Sequence, residues 1–472
     1  MSKKGKAQAS AQIRRKKRGQ RTQAKGITVL PVLQPNTAGV DIGATEIYVA
    51  VPADRDPQPV RRFDSFTGDL QALADWLKQC GTESIAMEST GVYWIPLFQI
   101  LEERGFQVCL VNARHFQNVP GKRTDVADCQ WLQYLHSVGL LRSSFRPEQA
   151  ICAVRTLLRH RNNLIEGAAK HVLHMEKALE QMNLKLHHVI SDLTGVTGLA
   201  IVDAILAGNH DPAALAKLCD RRIRASEETI VKSLEGDYRP EHLITLRQSL
   251  ELYRDYQKKI AALDGEMEAF MAELPAKVDL RAHPLPEGKK KRSKKPQHNA
   301  PAFDLRSHCY RLLGVDLTEI PGLDAVTAHV LLTEVGPDFS AFSSGAAFAS
   351  WLGLCPNHEI SGGKVLARKT RKVSNRLAHA LRNGAQNLHA SQSSLGQLYR
   401  RLRTKLGAPK AITAAAHKLA RIIYAMVTTG RAYDETLFAE QDKRVRQQKE
   451  TRLRKQALDL GFQLVPVVSN PA

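Results

Sequence analysis

Residues 38–51 read AGVDIGATEIYVAV, residues 83–94 read ESIAMESTGVYW and residues 123–132 read RTDVADCQWL, and these stretches decide the fold. Asp41 interrupts an apolar, β-branched run and Glu88 closes another. Asp125 and Asp128 open a helical pattern three residues apart, which puts them on one face. A carboxylate inside a strand pattern that should be buried needs a compensating partner. A hard divalent cation such as Mg2+ is one, because carboxylate oxygens hold it and it offsets the repulsion of clustered acids. Asp41, Glu88, Asp125 and Asp128 are therefore the candidate catalytic and metal-binding acids. Singly each has an ordinary explanation, Glu88 as a solvated strand end and Asp125 as a helix-terminal charge behind a Thr124 cap; together, in this order, they favour the metal site.

Outward from these acids, Gly39–Ile42 and Glu46–Val51 predict a hairpin turned at Gly43-Ala44-Thr45, with Val60–Phe66 as a third strand. Leu70, Leu73, Trp76 and Leu77 repeat at helical spacing before the break at Gly81. Ser84–Glu88 reads as a strand, Val92–Arg104 as a helix and Gln107–Val111 as a strand before the Asp125 helix. The series βββαβαβα resembles the ribonuclease-H-like, RuvC-like fold, in which acids on the first strand, the fourth strand and the last helix converge. DIGAT also resembles a phosphate loop of actin-like sugar kinases, a weaker reading because no second glycine-rich phosphate loop follows.

Composition bounds the partners. The 472 residues are 43% hydrophobic, enough for two or three domains, and 68 Lys and Arg against 47 Asp and Glu give a formal charge of +21. That balance predicts a polyanionic partner, with nucleic acid as the default. No membrane association is expected, since no apolar run reaches the roughly 18 to 20 residues of a spanning helix, and no signal-peptide core opens the chain. The seven cysteines are scattered without a CxxC pair, which fits a reducing, cytoplasmic compartment.

The division predicted is a basic disordered arm over 1–37, an α/β nuclease-like domain over 38–147, an all-α, coiled-coil-like middle over 148–275, a basic linker over 276–302, a mainly helical last domain over 303–435 and a basic tail over 436–472. In the middle, Ile151, Val154, Leu158, Ile165, Val172, Met175 and Leu179 alternate steps of three and four, with Arg161 interrupting the seam. A second such helix runs from Leu243 to Met271 and is expected to pack on the first or on another subunit. The linker carries the run Lys289–Lys295. In the last domain Ile320-Pro321-Gly322-Leu323 resembles a helix-hairpin-helix turn, whose following helix N-terminus can hold a phosphate. Ser361 is followed by Gly362, Gly363 and Lys364, then by Arg368, Lys369, Arg371 and Lys372. A serine on a small-residue turn has an exposed hydroxyl, and the cations beside it are the candidate nucleic-acid contacts; the ordinary reading is a plain Ser-Gly turn.

The DIGAT strand, the MEST-G-VYW segment, the R-T-D-x-x-D helix, the IPGL turn, the SWLGLCP-x-x-x-ISGGK block and AAAHKLARIIYAM over Ala414–Met426 together resemble the DEDD-type insertion-sequence transposases of the IS one-ten family, in its one-eleven-eleven branch. The resemblance runs from about Ala38 to Tyr433. It implies a recombinase that a noncoding bridge RNA guides to donor and target DNA, with its four acids falling on Asp41, Glu88, Asp125 and Asp128, and its nucleophilic serine on Ser361. It further implies Mg2+, a covalent 5′-phosphoserine, and an active site shared between subunits of a homo-oligomer, at least a dimer and a tetramer when assembled on DNA. A metal-dependent, Holliday-junction-resolvase-like nuclease without a covalent intermediate is the alternative.

Overall fold

In the computed structural model, which describes residues 30–89, 91–112, 125–286, 299–371 and 373–463, the chain separates into two compact units, 1–146 and 147–472. In the first unit the apolar alternation becomes strands β1 (Thr37–Ile42), β2 (Glu46–Ala50), β3 (Val60–Asp64), β4 (Ser84–Glu88) and β5 (Gln107–Val111). They form one sheet in the order β3-β2-β1-β4-β5. β1, β2 and β3 are antiparallel neighbours, while β4 runs parallel to β1 and β5 parallel to β4. Parallel neighbours need crossovers, supplied by helices α1 (Thr67–Gln79) and α2 (Trp94–Glu103), and α3 (Asp125–Ser137) closes the unit.

Strand periodicity sorts the two faces. On one, Val40, Ile42, Ile47, Val49, Ile85 and Met87 form the core with Leu73, Leu77, Leu97 and Leu101 of α1 and α2. On the other, Ala86 and Val111 pack against Leu132 and Leu135 of α3. Gly39 shares this second face. A Cβ there would stand 2.2 Å from the carbonyl oxygen of Cys129, so glycine is what lets α3 lie directly on β1. A mixed α/β first domain followed by a helical remainder is thus as the sequence predicts, and compatible with a RuvC-like core.

In the second unit the two predicted long helices are α4 (Gln149–Gln181) and, after α5 (Val196–Leu206), α6 (Pro212–Ala216) and α7 (Glu227–Ser233), α8 (Pro240–Glu273). They pack on each other: Gly167 lies under Tyr256, where a Cβ would come within 2.7 Å of the ring, and Arg161 meets Asp264. These pairings run in opposite senses, so the helices are antiparallel. Arg161 does not break the seam, because Asp264 accepts from its Nη2 at 3.1 Å and both side chains are almost wholly buried.

Helices α9 (Leu305–Leu313), α10 (Ala325–Val335), α11 (Gly345–Trp351), α12 (Arg376–Asn387), α13 (Ser394–Leu406), α14 (Ala408–Thr429) and α15 (Ala439–Asp459) follow. The alanine-rich face of α14, with Leu419 and Ile423, is buried. Between α11 and α12 the helical pattern gives way to an antiparallel pair, β6 (Pro356–Ser361) and β7 (Lys364–Thr370), where the sequence predicts only a turn. The run Lys289–Lys295 and most of the expected N-terminal arm lie outside the described residues. The flanks of the expected linker are tied down: Arg306 donates to the carbonyl of Pro286 at 2.8 Å, and Arg161 to that of Asn299 at 2.9 Å. Among the described residues no helix is long and apolar enough to cross a membrane.

Candidate active site

The fold brings the four candidate acids towards one end of the sheet. Val40 pairs with Met87 in parallel register, so the next residues, Asp41 and Glu88, stand side by side where β1 and β4 end. Asp125 and Asp128 occupy the first turn of α3, the helix seated on β1 through Gly39. A helix N-terminus favours negative charge, which eases the placement of two acids there. Asp41 registers all of them. Its pKa is pushed up to about 6, chiefly by burial and then by the charges of Glu88, Asp125 and Asp128, against a lowering hydrogen bond from the Ile42 amide.

The donor set, carboxylates from three elements, suits a hard divalent cation, and neighbours that raise the pKa of Asp41 form an environment that a cation would relieve. Among the described residues no three His, Cys, Asp or Glu side chains are gathered tightly enough to hold an ion, so the acids must draw closer to ligate one. Beneath them Cys129 is held inert, its thiol pushed up to about 12 by burial and by the charge of Asp41.

Two neighbours escaped the sequence reading. Tyr48 stands across the ladder from Asp41, and Arg62 across from Tyr48, so the three share the α3 face in one row. Tyr48 donates to Glu46 at 3.1 Å, while Arg62 spans Glu46 at 3.3 Å and Asp64 at 2.8 Å. The signal was the alternation in EIYVA, whose core positions Ile47 and Val49 leave Glu46 and Tyr48 on the opposite face.

Ser361 ends β6 and pairs with Lys364 across a two-residue turn in which Gly362 and Gly363 have φ of 54° and 77°. Positive φ at both central residues is a type I′ turn, which explains the Gly-Gly pair. Ser361, Lys364 and Lys369 are exposed, and among the described residues no side chain hydrogen-bonds the Ser361 hydroxyl. Arg371 folds back to donate to the carbonyl of Ser350. Arg368 pairs with His358 in the ladder, and Lys372 lies outside the described residues. At the IPGL turn Gly322 has φ of 91°, but the helix that follows is capped by Asp324, which accepts from the Thr327 amide at 2.7 Å. A carboxylate already occupies the terminus expected to take a phosphate.

Two stretches of the chain match known families. Residues 38–184 match the DEDD transposase domain of IS110, a stretch that includes all four acids. Residues 316–400, which include Ser361, match the family Transposase IS116/IS110/IS902. The chain is also similar, at 39% identity over 128 residues, to "Putative transposase y4pF/y4sB" of Sinorhizobium fredii; the match covers 25% of this chain and 32% of that relative, about a third of its length. In two successive stretches, then, the chain is similar to models of IS110-type transposases.

Proposed function

We propose that this chain cuts DNA at the ends of an insertion sequence and at a target and rejoins the strands, guided by a noncoding bridge RNA, with Asp41, Glu88, Asp125 and Asp128 holding Mg2+ and Ser361 as nucleophile. The observation that carries the reading is the convergence of three further carboxylates, from two other elements, on Asp41. Bound there, Mg2+ would polarise the scissile phosphate and stabilise the leaving oxygen. The Ser361 oxygen attacks phosphorus, the serine–phosphate bond forms as the bond to the 3′ oxygen breaks, and the 5′ phosphate stays on the protein. The ester conserves bond energy, so the 3′ hydroxyl of a different strand can displace the serine without ATP. Lys364 and Lys369 flank the serine as phosphate contacts, with Arg368, Arg371 and Lys372 assigned to the same work; the charge of +21 suits a protein that holds RNA and DNA backbones while base pairing reads sequence. The active form is a homo-oligomer, at least a dimer and a tetramer on DNA.

The test is strand cleavage by purified protein with its RNA and element-end DNA. Alanine at any of the four acids, or EDTA, should remove cleavage, and a stalled reaction on nicked substrate should trap an adduct on Ser361 that Ser361→Ala lacks. Full cleavage in EDTA would sink the metal site. Full cleavage by Ser361→Ala would establish instead the resolvase-like nuclease, which activates water, and an adduct on Ser343 or Ser344 would move the nucleophile.

A further inference from the structure

Beyond Glu88, Ser89 and the residues from Gly91 to Trp94 are tied to the sheet and to the next helix, yet large side chains there stand in water. Ser89 donates to the carbonyl of Val111 through its amide at 2.9 Å and its hydroxyl at 3.1 Å, fixing the exit from β4 to the end of β5. The Trp94 indole donates to the carbonyl of Gly91 at 3.2 Å, and its ring meets Phe98 edge-on at 5.6 Å on the flank of the core. Between these anchors Val92 is 67% and Tyr93 50% exposed. Gly91, at φ of 55°, turns the chain so that the Tyr93 ring lies over it, 3.5 Å from where a Cβ would be. The exposure is therefore fixed by the local framework, and core packing does not explain why positions 92 and 93 carry valine and tyrosine.

We propose that Tyr93, backed by Val92, is a stacking platform for an unpaired nucleobase flanking the phosphate held at the acid cluster. The inference rests on the strand-cleavage reading for its location. Glu88 and Tyr93 are five positions apart at the carboxyl end of β4, the end of an α/β sheet where ligands are taken. Five residues of chain span at most about 18 Å, so a base one or two nucleotides from a phosphodiester held at Glu88 comes within reach of Tyr93. The acids cannot attract the rest of the strand, because they repel its phosphates, and an aromatic face supplies attraction that does not depend on charge. Two adjacent side chains are too small an apolar patch for a protein partner, which needs a contiguous surface of several hundred Å2. A base is of the size that one ring covers.

The experiment uses the full chain carrying Asp41→Asn, so that DNA stays intact, and a duplex with a short single-stranded gap containing 2-aminopurine beside the same duplex fully paired. With Tyr93 present, binding should quench 2-aminopurine fluorescence and favour the gapped DNA, and Tyr93→Phe should keep both. Tyr93→Ala should lose the quenching and weaken gapped binding about 5- to 150-fold, leaving duplex affinity and its salt dependence unchanged. The proposal is overturned by unchanged gapped binding in Tyr93→Ala, by an equal loss on both DNAs, or by a change in oligomeric mass that accounts for the loss. None of these outcomes bears on whether cleavage needs a metal, and cleavage by the wild-type chain in EDTA would remove the metal reading while leaving the stacking result in place.

Discussion

Asp41 carries an uncomfortable charge, half-buried and facing three other acids. Its pKa rises from 3.8 to about 6 on folding without metal, so between those values the folded protein binds more protons than the unfolded chain. Stability from this group is then greatest below about pH 4, falls as the pH rises, and is lost above about pH 6. Asp41→Asn should stabilise the metal-free protein by about 1 to 2 kcal/mol at neutral pH, a figure reduced for partial exposure, and by almost nothing near pH 4. Urea unfolding at both pH values measures this, and saturating Mg2+ should reverse the sign by stabilising the wild type alone. An equal gain at both pH values would mean that Asp41 does not feel its neighbours.

Helix α3 is placed by a single missing side chain. Gly39→Ala would drive a methyl into the Cys129 carbonyl and the Gln133 amide, helix backbone that cannot give way, so α3 and its two acids must shift. A loss of about 1 to 3 kcal/mol is expected, together with cleavage reduced by more than tenfold, read by unfolding and by single-turnover assay. At the α4–α8 seam, Arg161→Ala strands the buried Asp264 carboxylate and should cost about 3 to 5 kcal/mol, whereas Arg161→Met combined with Asp264→Leu should recover most of it. These contrasts mark what could be read in advance. The strands and the order of acids were legible because burial on alternate faces imposes a period of two, and a carboxylate breaks it visibly at Asp41. The seat of α3 on Gly39 was not, nor the row of Tyr48 and Arg62, nor the partner of Arg161, which lies 103 residues away. Each depends on long-range pairing that local periodicity does not encode. The β6–β7 hairpin hid for another reason: most of its described side chains are exposed, so no buried period of two marks it, and only the Gly-Gly turn announces it.

Across the whole molecule the excess of positive charge should show itself as salt dependence. Removing Lys364 or Lys369 should weaken DNA binding for all sequences alike and lower the slope of log affinity against log salt by about one; a loss confined to particular targets would point to base reading instead. If acids and serine act from different copies, mixing Ser361→Ala with Asp41→Ala protein should restore part of the cleavage that neither shows alone, and no restoration at any ratio would confine the chemistry to one copy. The carbonyls of Pro286 and Asn299, each clasped by an arginine of the helical unit, also set a rule for length. With both flanks fastened, residues inserted between positions 286 and 299 should leave α8 and α9 in place, at a closure cost of about 0.6 kcal/mol per doubling of length, which thermal unfolding of the insertion variants measures. An affinity tag or a fluorescent reporter can therefore be spliced in at this point.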